Sequence, residues 1–194
     1  RAGVKRVDAV LYTHCHADHL NGIDDLRAFC YRQKQVIPFY AQADTIQDIQ
    51  TRFAYTLLPP NGYWEKPVLR ANLLQSHDIL KIGDLEIIPI PVLHGTWMIY
   101  GYRIGDFAYL TDISALPASS KPLLAGVKVL ALDSLRYEPH PTHFGLQQSL
   151  DCIADLGISH AYLMHMTHEM EYTQLMACLP DGVSVAYDGL VLSL

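Results

Sequence analysis

Apolar residues along the chain alternate between short buried-strand runs and helical spacing. Residues 7–13 (VDAVLYT) form a compact apolar run that predicts a buried strand. A polar cluster at 14–19 follows, and 21–29 reads as a helix. Residues 36–40 predict a second strand. A helix from about Thr45 then places Ile46, Ile49 and Phe53 on one face. Residues 57–75 carry Pro59, Pro60, Gly62 and Pro67 and read as an extended loop or insertion. From Ile79 the pattern turns to β. Ile82-Gly83-Asp84 and Ile104-Gly105-Asp106 are hairpin signals between apolar strands, with return strands at 85–93 and 107–110. A further strand is expected at 127–132. Thr142 is the expected cap of a helix through Leu156, stopped by Gly157. A strand at 160–164, a helix at 171–179 ended by Pro180, and strands within 183–192 complete the reading, which is one α/β domain over 1–194 without repeats or linkers.

Composition narrows the class. Half of the 194 residues are hydrophobic and 18% are charged, which excludes a disordered chain. No apolar run is long enough to predict a membrane-spanning helix. The formal charge of −6 offers no general attraction to nucleic acid or anionic lipid, so no long nucleic acid and no membrane is expected as a partner. Cys15, Cys30, Cys152 and Cys178 form no CxxC pair and read as reduced thiols, which suggests a cytoplasmic protein.

The polar residues stand in telling places. His14, His94, Asp112, Asp133 and His165 each follow the carboxyl end of an expected strand, the edge at which layered α/β folds bind ligands. The sharpest signal is His14-Cys15-His16-Ala17-Asp18-His19, which offers imidazole and carboxylate donors suited to zinc, manganese or iron. Four donors this close in sequence cannot all serve one ion. His14, His16 and His94 are therefore expected on one metal, and Asp18, His19 and His165 on a second, with Asp112 bridging the two. Two ions about 3.5–4 Å apart can share a hydroxide that acts as a nucleophile near neutral pH.

HCHADH after an apolar strand, His94, Asp112 within YLTD and His165 within YLMHMTH resemble the metallo-β-lactamase-fold hydrolases. Residues 16–27 (HADHLNGIDDLR), 108–114 (AYLTDIS), 140–146 (HPTHFGL), 165–168 (HMTH) and 186–190 (AYDGL) resemble the PhnP-type phosphodiesterases within them. The resemblance implies a metallo-β-lactamase-like αββα sandwich with a dinuclear centre of two divalent ions, zinc or manganese. It also implies cleavage of small or cyclic phosphodiesters through a metal-bridging hydroxide. Asp18 and His143 are the catalytic residues it implies, His143 assisting at the phosphate and the leaving oxygen. An imidazole beside the metals can protonate a departing alkoxide. Family members usually start with further strands, so the chain is expected to lack its N-terminal strands. The sheet edge so exposed is expected to invite pairing with a second copy, as a homodimer.

Other polar residues offer further candidates. Asp133 is a candidate to orient a ligand histidine or to cap a loop. Arg136 is a candidate for substrate phosphate, against an ordinary ion pair. Arg27 with Asp24 and Asp25 is expected to form local ion pairs. Tyr55, Tyr63 and Trp64 are candidates for base stacking or for loop anchoring. Two alternatives to a phosphodiesterase stay open. One is a hydrolase of a carboxyl ester, lactone or thioester, and the other a non-catalytic metal-binding domain.

Overall fold

A computed structural model of the chain describes residues 3–57, 68–76 and 78–193. These form two compact units, residues 1–75 and 76–194.

The first unit is built on a three-stranded parallel sheet of β1 (Val10–Leu11), β2 (Ile37–Ala41) and β3 (Leu69–Leu73), in that order. Its helices are α1 (Ala17–Leu20), α2 (Leu26–Gln33) and α3 (Ala43–Arg52), with a 3-10 turn over Asn21–Asp25 joining the first two. Leu20, Ile23, Ile37, Phe39 and Ile49 are fully buried, and Tyr12 meets Phe39 edge to face at 5.6 Å. The sequence expectation differs in three places. The first strand is only two residues long, although Tyr12 still donates its amide to the Tyr40 carbonyl. The helix expected at 21–29 is already helical at Ala17, is 3-10 through Asn21–Asp25, and continues to Gln33. The region expected to be irregular contains β3. Leu69, Ala71 and Leu73 alternate with Arg70 and Asn72, a strand-period signal too short to stand out beside the prolines and glycine before it, and pairing to β2 fixes it as a strand.

The second unit carries a mixed seven-stranded sheet, order β10-β9-β8-β7-β6-β5-β4. β4 (Leu80–Ile82), β5 (Leu85–His94), β6 (Trp97–Ile104) and β7 (Phe107–Leu110) form an antiparallel meander. Both expected hairpins are present, and Gly83 and Gly105 hold the positive φ that such tight turns need. Pro89 and Pro91 sit in β5 beyond the stretch paired to β4, where the missing N–H costs no ladder bond. β8 (Val129–Asp133), β9 (His160–Met164) and β10 (Val183–Val185) then run parallel to β7. α4 (Leu146–Leu156) lies between β8 and β9 in sequence, and α5 (Tyr172–Met176) between β9 and β10. Ile90, Val92, Ile99, Leu110, Leu130, Leu132 and Leu163 form the fully buried centre of this core.

Two expectations are corrected here. Thr142 does not cap α4; the helix starts at Leu146 behind Gly145, and its stop at Gly157 in the left-handed conformation is as expected. The final strand is limited to Val183–Val185. Glu171 caps α5 by accepting from the amides of Thr173 and Gln174. Among the described residues no helix is long and apolar enough to cross a membrane.

The topology of this sheet prepares the site. β7, β8 and β9 are parallel, and β5 runs the same way because two antiparallel steps separate it from β7. Their carboxyl ends therefore fall on one edge, bringing His94, Asp112, Asp133 and His165 to it.

Candidate metal centre

In the first unit the chain leaves β1 and turns into α1 through the histidine motif. His14 is fully buried, with Nδ1 3.1 Å from the Thr13 hydroxyl and Nε2 3.0 Å from His16 Nδ1. Two nitrogen donors about 2.1 Å from one tetrahedral ion stand roughly 3.4 Å apart, so this close approach of two ring nitrogens fits a shared cation. His19 packs its ring against His14 at 4.4 Å, and its Nε2 lies 3.2 Å from Asp18 Oδ2. Cys15, between the histidines, packs against the apolar core of this unit, and burial pushes its thiol pKa up. That leaves it a packing residue.

In the second unit the strand ends are locked to one another. The segment after Asp112 is stitched to the end of β5. Ser114 donates its amide to the Leu93 carbonyl at 2.7 Å, and its hydroxyl accepts from the Gly95 amide at 2.8 Å. Asp112 (φ 53°) and His165 (φ 61°) both adopt the left-handed conformation. This costs about 1–2 kcal/mol for a residue with a Cβ, and such strain concentrates at functional positions. The surroundings hold both turns in place. The Ile113 amide donates to Asp133 Oδ2 at 3.0 Å, and the Ser134 amide donates to the carbonyl of Met164, just before His165.

Asp112, 2% exposed, is the hub of this cluster. Its Oδ1 accepts from the Thr111 hydroxyl at 2.6 Å and lies 3.4 Å from His165 Nε2. Its Oδ2 lies 4.0 Å from His94 Nε2 and 3.9 Å from His143 Nε2. The two oxygens thus address different histidines, the arrangement a bridging carboxylate needs. Donor atoms of Asp112, His143 and His165 all lie within 4.8 Å of one another.

The tautomers of two histidines follow from their partners. The Thr142 carbonyl can only accept, so His94 Nδ1 donates to it at 2.8 Å and Nε2 keeps its lone pair. His143 Nδ1 lies 2.8 Å from Asp133 Oδ2, which leaves its Nε2 lone pair toward Asp112. The His143 and His165 rings stack at 5.2 Å. Asp133 is fully buried, and burial pushes its carboxyl pKa up against the lowering pull of His143. This geometry admits His143 either as a further donor or as a proton carrier.

The remaining sequence candidates have local partners. Arg136 donates from Nη2 to the Pro139 carbonyl at 2.7 Å and from Nε to the Glu138 carbonyl at 3.3 Å, so its guanidinium is engaged by its own loop. Arg27 pairs with Asp24 at 3.3 Å, and the Tyr55 hydroxyl donates to the same carboxylate at 2.9 Å. Tyr63 and Trp64 lie outside the described residues. Sequence reasoning missed the supporting groups, namely the Thr142 carbonyl, the Thr111 hydroxyl and Ser114. Thr111 adjoins Asp112 and was within reach of a sequence argument; a backbone carbonyl leaves no mark in a sequence.

The family model described as a beta-lactamase superfamily domain matches residues 1–166. The crystal structure of a diphosphatase from the PhnP family superposes with a TM-score of 0.88 at 36% identity, covering 97% of this chain and 71% of that one. Zinc-bound PqqB from Methylobacterium extorquens gives a TM-score of 0.73 at 19% identity, covering 100% of this chain and 76% of that one, a likeness of fold alone. An octanoyltransferase of Porphyromonas gingivalis is 32% identical over 191 residues, 97% of this chain. The chain spans only 38% of that relative's length. The histidine and aspartate clusters, on this fold, support divalent-metal binding. The chain belongs to the beta-lactamase superfamily, as a domain of metallo-β-lactamase fold with PhnP-like relatives, in a superfamily whose members are generally metal-dependent hydrolases.

Proposed function

We propose that this domain is a dinuclear metal-dependent phosphodiesterase acting on small or cyclic phosphodiesters. His14, His16, Asp18, His19, His94, Asp112 and His165 are its ligands, and zinc or manganese its two ions. When bound, such ions supply Lewis acidity and lower the pKa of a water toward neutrality. The residues do the rest. Asp133 holds His143 through Nδ1, so that Nε2 can carry a proton to the oxygen that leaves phosphorus as the P–O bond breaks and water adds. A diester needs this help because an alkoxide leaves poorly unprotonated.

The observation that carries the reading is the buried Asp133–His143 pair beside Asp112. The similarity to a PhnP-family diphosphatase at 36% identity supports the same chemistry. A second reading, hydrolysis of a carboxyl ester, lactone or thioester, is favoured by the octanoyltransferase relative. In this proposal the partner is a small phosphodiester in the cytoplasm, and a homodimer is the expected assembly.

Parallel assays of the metal-loaded domain on bis-p-nitrophenyl phosphate, a 2′,3′-cyclic nucleotide, a lactone and an acyl thioester test this. Metal-dependent turnover of the diesters is expected. Turnover of the acyl substrates alone would establish the second reading, and no turnover with fewer than two ions per chain would indicate a non-catalytic metal-binding domain.

A further inference from the structure

The loop between β8 and α4 touches the site twice. Its Thr142 carbonyl fixes His94, and its next residue is His143 itself. The loop is closed at its base by two backbone bonds, Leu135 amide to Phe144 carbonyl at 3.0 Å and Leu146 amide to Arg136 carbonyl at 2.9 Å. Gly145 is required at that closure, since a Cβ there would stand 2.7 Å from the Glu138 carbonyl oxygen. Arg136 ties down the first part of the loop through exposed bonds. Its fork engages two successive carbonyls, Glu138 and Pro139, which a point charge on a flexible stem could not do together. From there the chain reaches Thr142 through His140, whose Nδ1 lies 3.3 Å from the Thr142 amide and 3.2 Å from its hydroxyl. On the far side Thr142 lies against Gly95, at the turn that follows His94; a Cβ on Gly95 would meet the Thr142 methyl at 3.0 Å.

We infer that Arg136 is a positioning residue: by bracing residues 136–145 it sets the ring orientations of His94 and His143 together, and it does not bind substrate. The inference rests on the phosphodiesterase reading only for its kinetic consequence. The geometric consequence stands by itself. Without the fork the loop keeps its base but loses its internal brace, so the Thr142 carbonyl that fixes His94 and the backbone that carries His143 to Asp133 both lose their fixed positions.

Histidine side-chain 1H–15N correlation spectra of the metal-free protein at one fixed pH test the geometry. The wild type is expected to show Nδ1–H tautomers at His94 and His143. Arg136→Ala is expected to show mixed tautomers at both, with Arg136→Lys partly restoring the pattern. Gly145→Ala distorts the same loop by another route and is expected to disturb the same two residues. It also serves if Arg136→Ala fails to fold. Unchanged tautomers in folded Arg136→Ala would overturn the inference. In the metal-loaded enzyme Arg136→Ala is expected to lower kcat on a diester by about tenfold or more with KM within about twofold, as misplacement of reacting groups does. A raised KM with unchanged kcat would overturn it in favour of substrate binding. Should the wild type turn over no diester, the phosphodiesterase reading fails while the spectra still decide the role of Arg136.

Discussion

Asp133 Oδ2 lies 2.8 Å from His143 Nδ1, and the same oxygen accepts the amide of Ile113, the residue after Asp112. One buried carboxylate thus holds both the candidate proton carrier and the turn that presents the candidate bridging ligand. Replacing it disturbs two functions by two routes. Asp133→Asn keeps the shape and an acceptor for the Ile113 amide, but removes the charge that stabilises a protonated His143. Its metal content is expected to match the wild type, while diester turnover falls by about 10²-fold or more, within the range for losing acid–base assistance. Elemental analysis beside steady-state assays checks this, and loss of metal in step with activity would contradict it.

His143→Ala is expected to retain both ions and to lose turnover selectively. The loss should be largest for alkoxide leaving groups and small for p-nitrophenolate, which departs without a proton. A series of diesters graded by leaving-group pKa measures the slope. If the variant loses metal, His143 is a ligand, as its closeness to Asp112 and His165 also admits.

Asp112→Ala is expected to lose both ions together, because each carboxylate oxygen addresses different histidines. Thermal unfolding with and without added zinc gives a second measure. The wild type should rise in Tm by mass action on the folded state, and the variant should not. A dinuclear centre retained in Asp112→Ala would refute the bridging role.

A pH effect is expected at α5, away from the metal ligands. Glu171 accepts from two backbone amides, which holds its carboxyl below the ordinary value of 4.5. A carboxyl lowered on folding stabilises above its unfolded pKa, and the gain is lost as pH falls through the folded value. The wild type should therefore melt slightly higher than Glu171→Gln at pH 7, and the gap should close as pH falls below 4.5 and through the lowered folded value. A gap that stays constant into strong acid would show that the cap's charge contributes nothing.

Much of the fold is legible before any coordinates. The apolar run at 127–132 announces a central strand, observed at Val129–Asp133, and the glycines at 83 and 105 announce the hairpins. The motif at 14–19 points to a metal, since three imidazoles and a carboxylate within six residues have few other uses. Elsewhere the signal is absent or misleading. β3 alternates apolar and polar residues over only five positions, and the prolines before it mask that short signal; its pairing to β2 is what shows it as a strand. Thr142 has the composition of a helix cap, yet its contribution to the site is a carbonyl. Arg136 has the chemistry of a phosphate ligand, yet two of its donors, at Nε and Nη2, are engaged by neighbouring carbonyls.

By itself, then, the order of residues determined most of the strands and helices, β3 excepted, and which side chains are able to bind a cation, since periodicity and donor chemistry belong to each residue. Only the tertiary structure decided that the ends of β5, β7, β8 and β9 share one edge, which nitrogen of His94 and of His143 remains available, and that Arg136 faces its own loop. Those outcomes depend on strand direction, on the buried Asp133 carboxylate and on backbone carbonyls. Every residue type carries the same carbonyl, so only its position in space gives it a role.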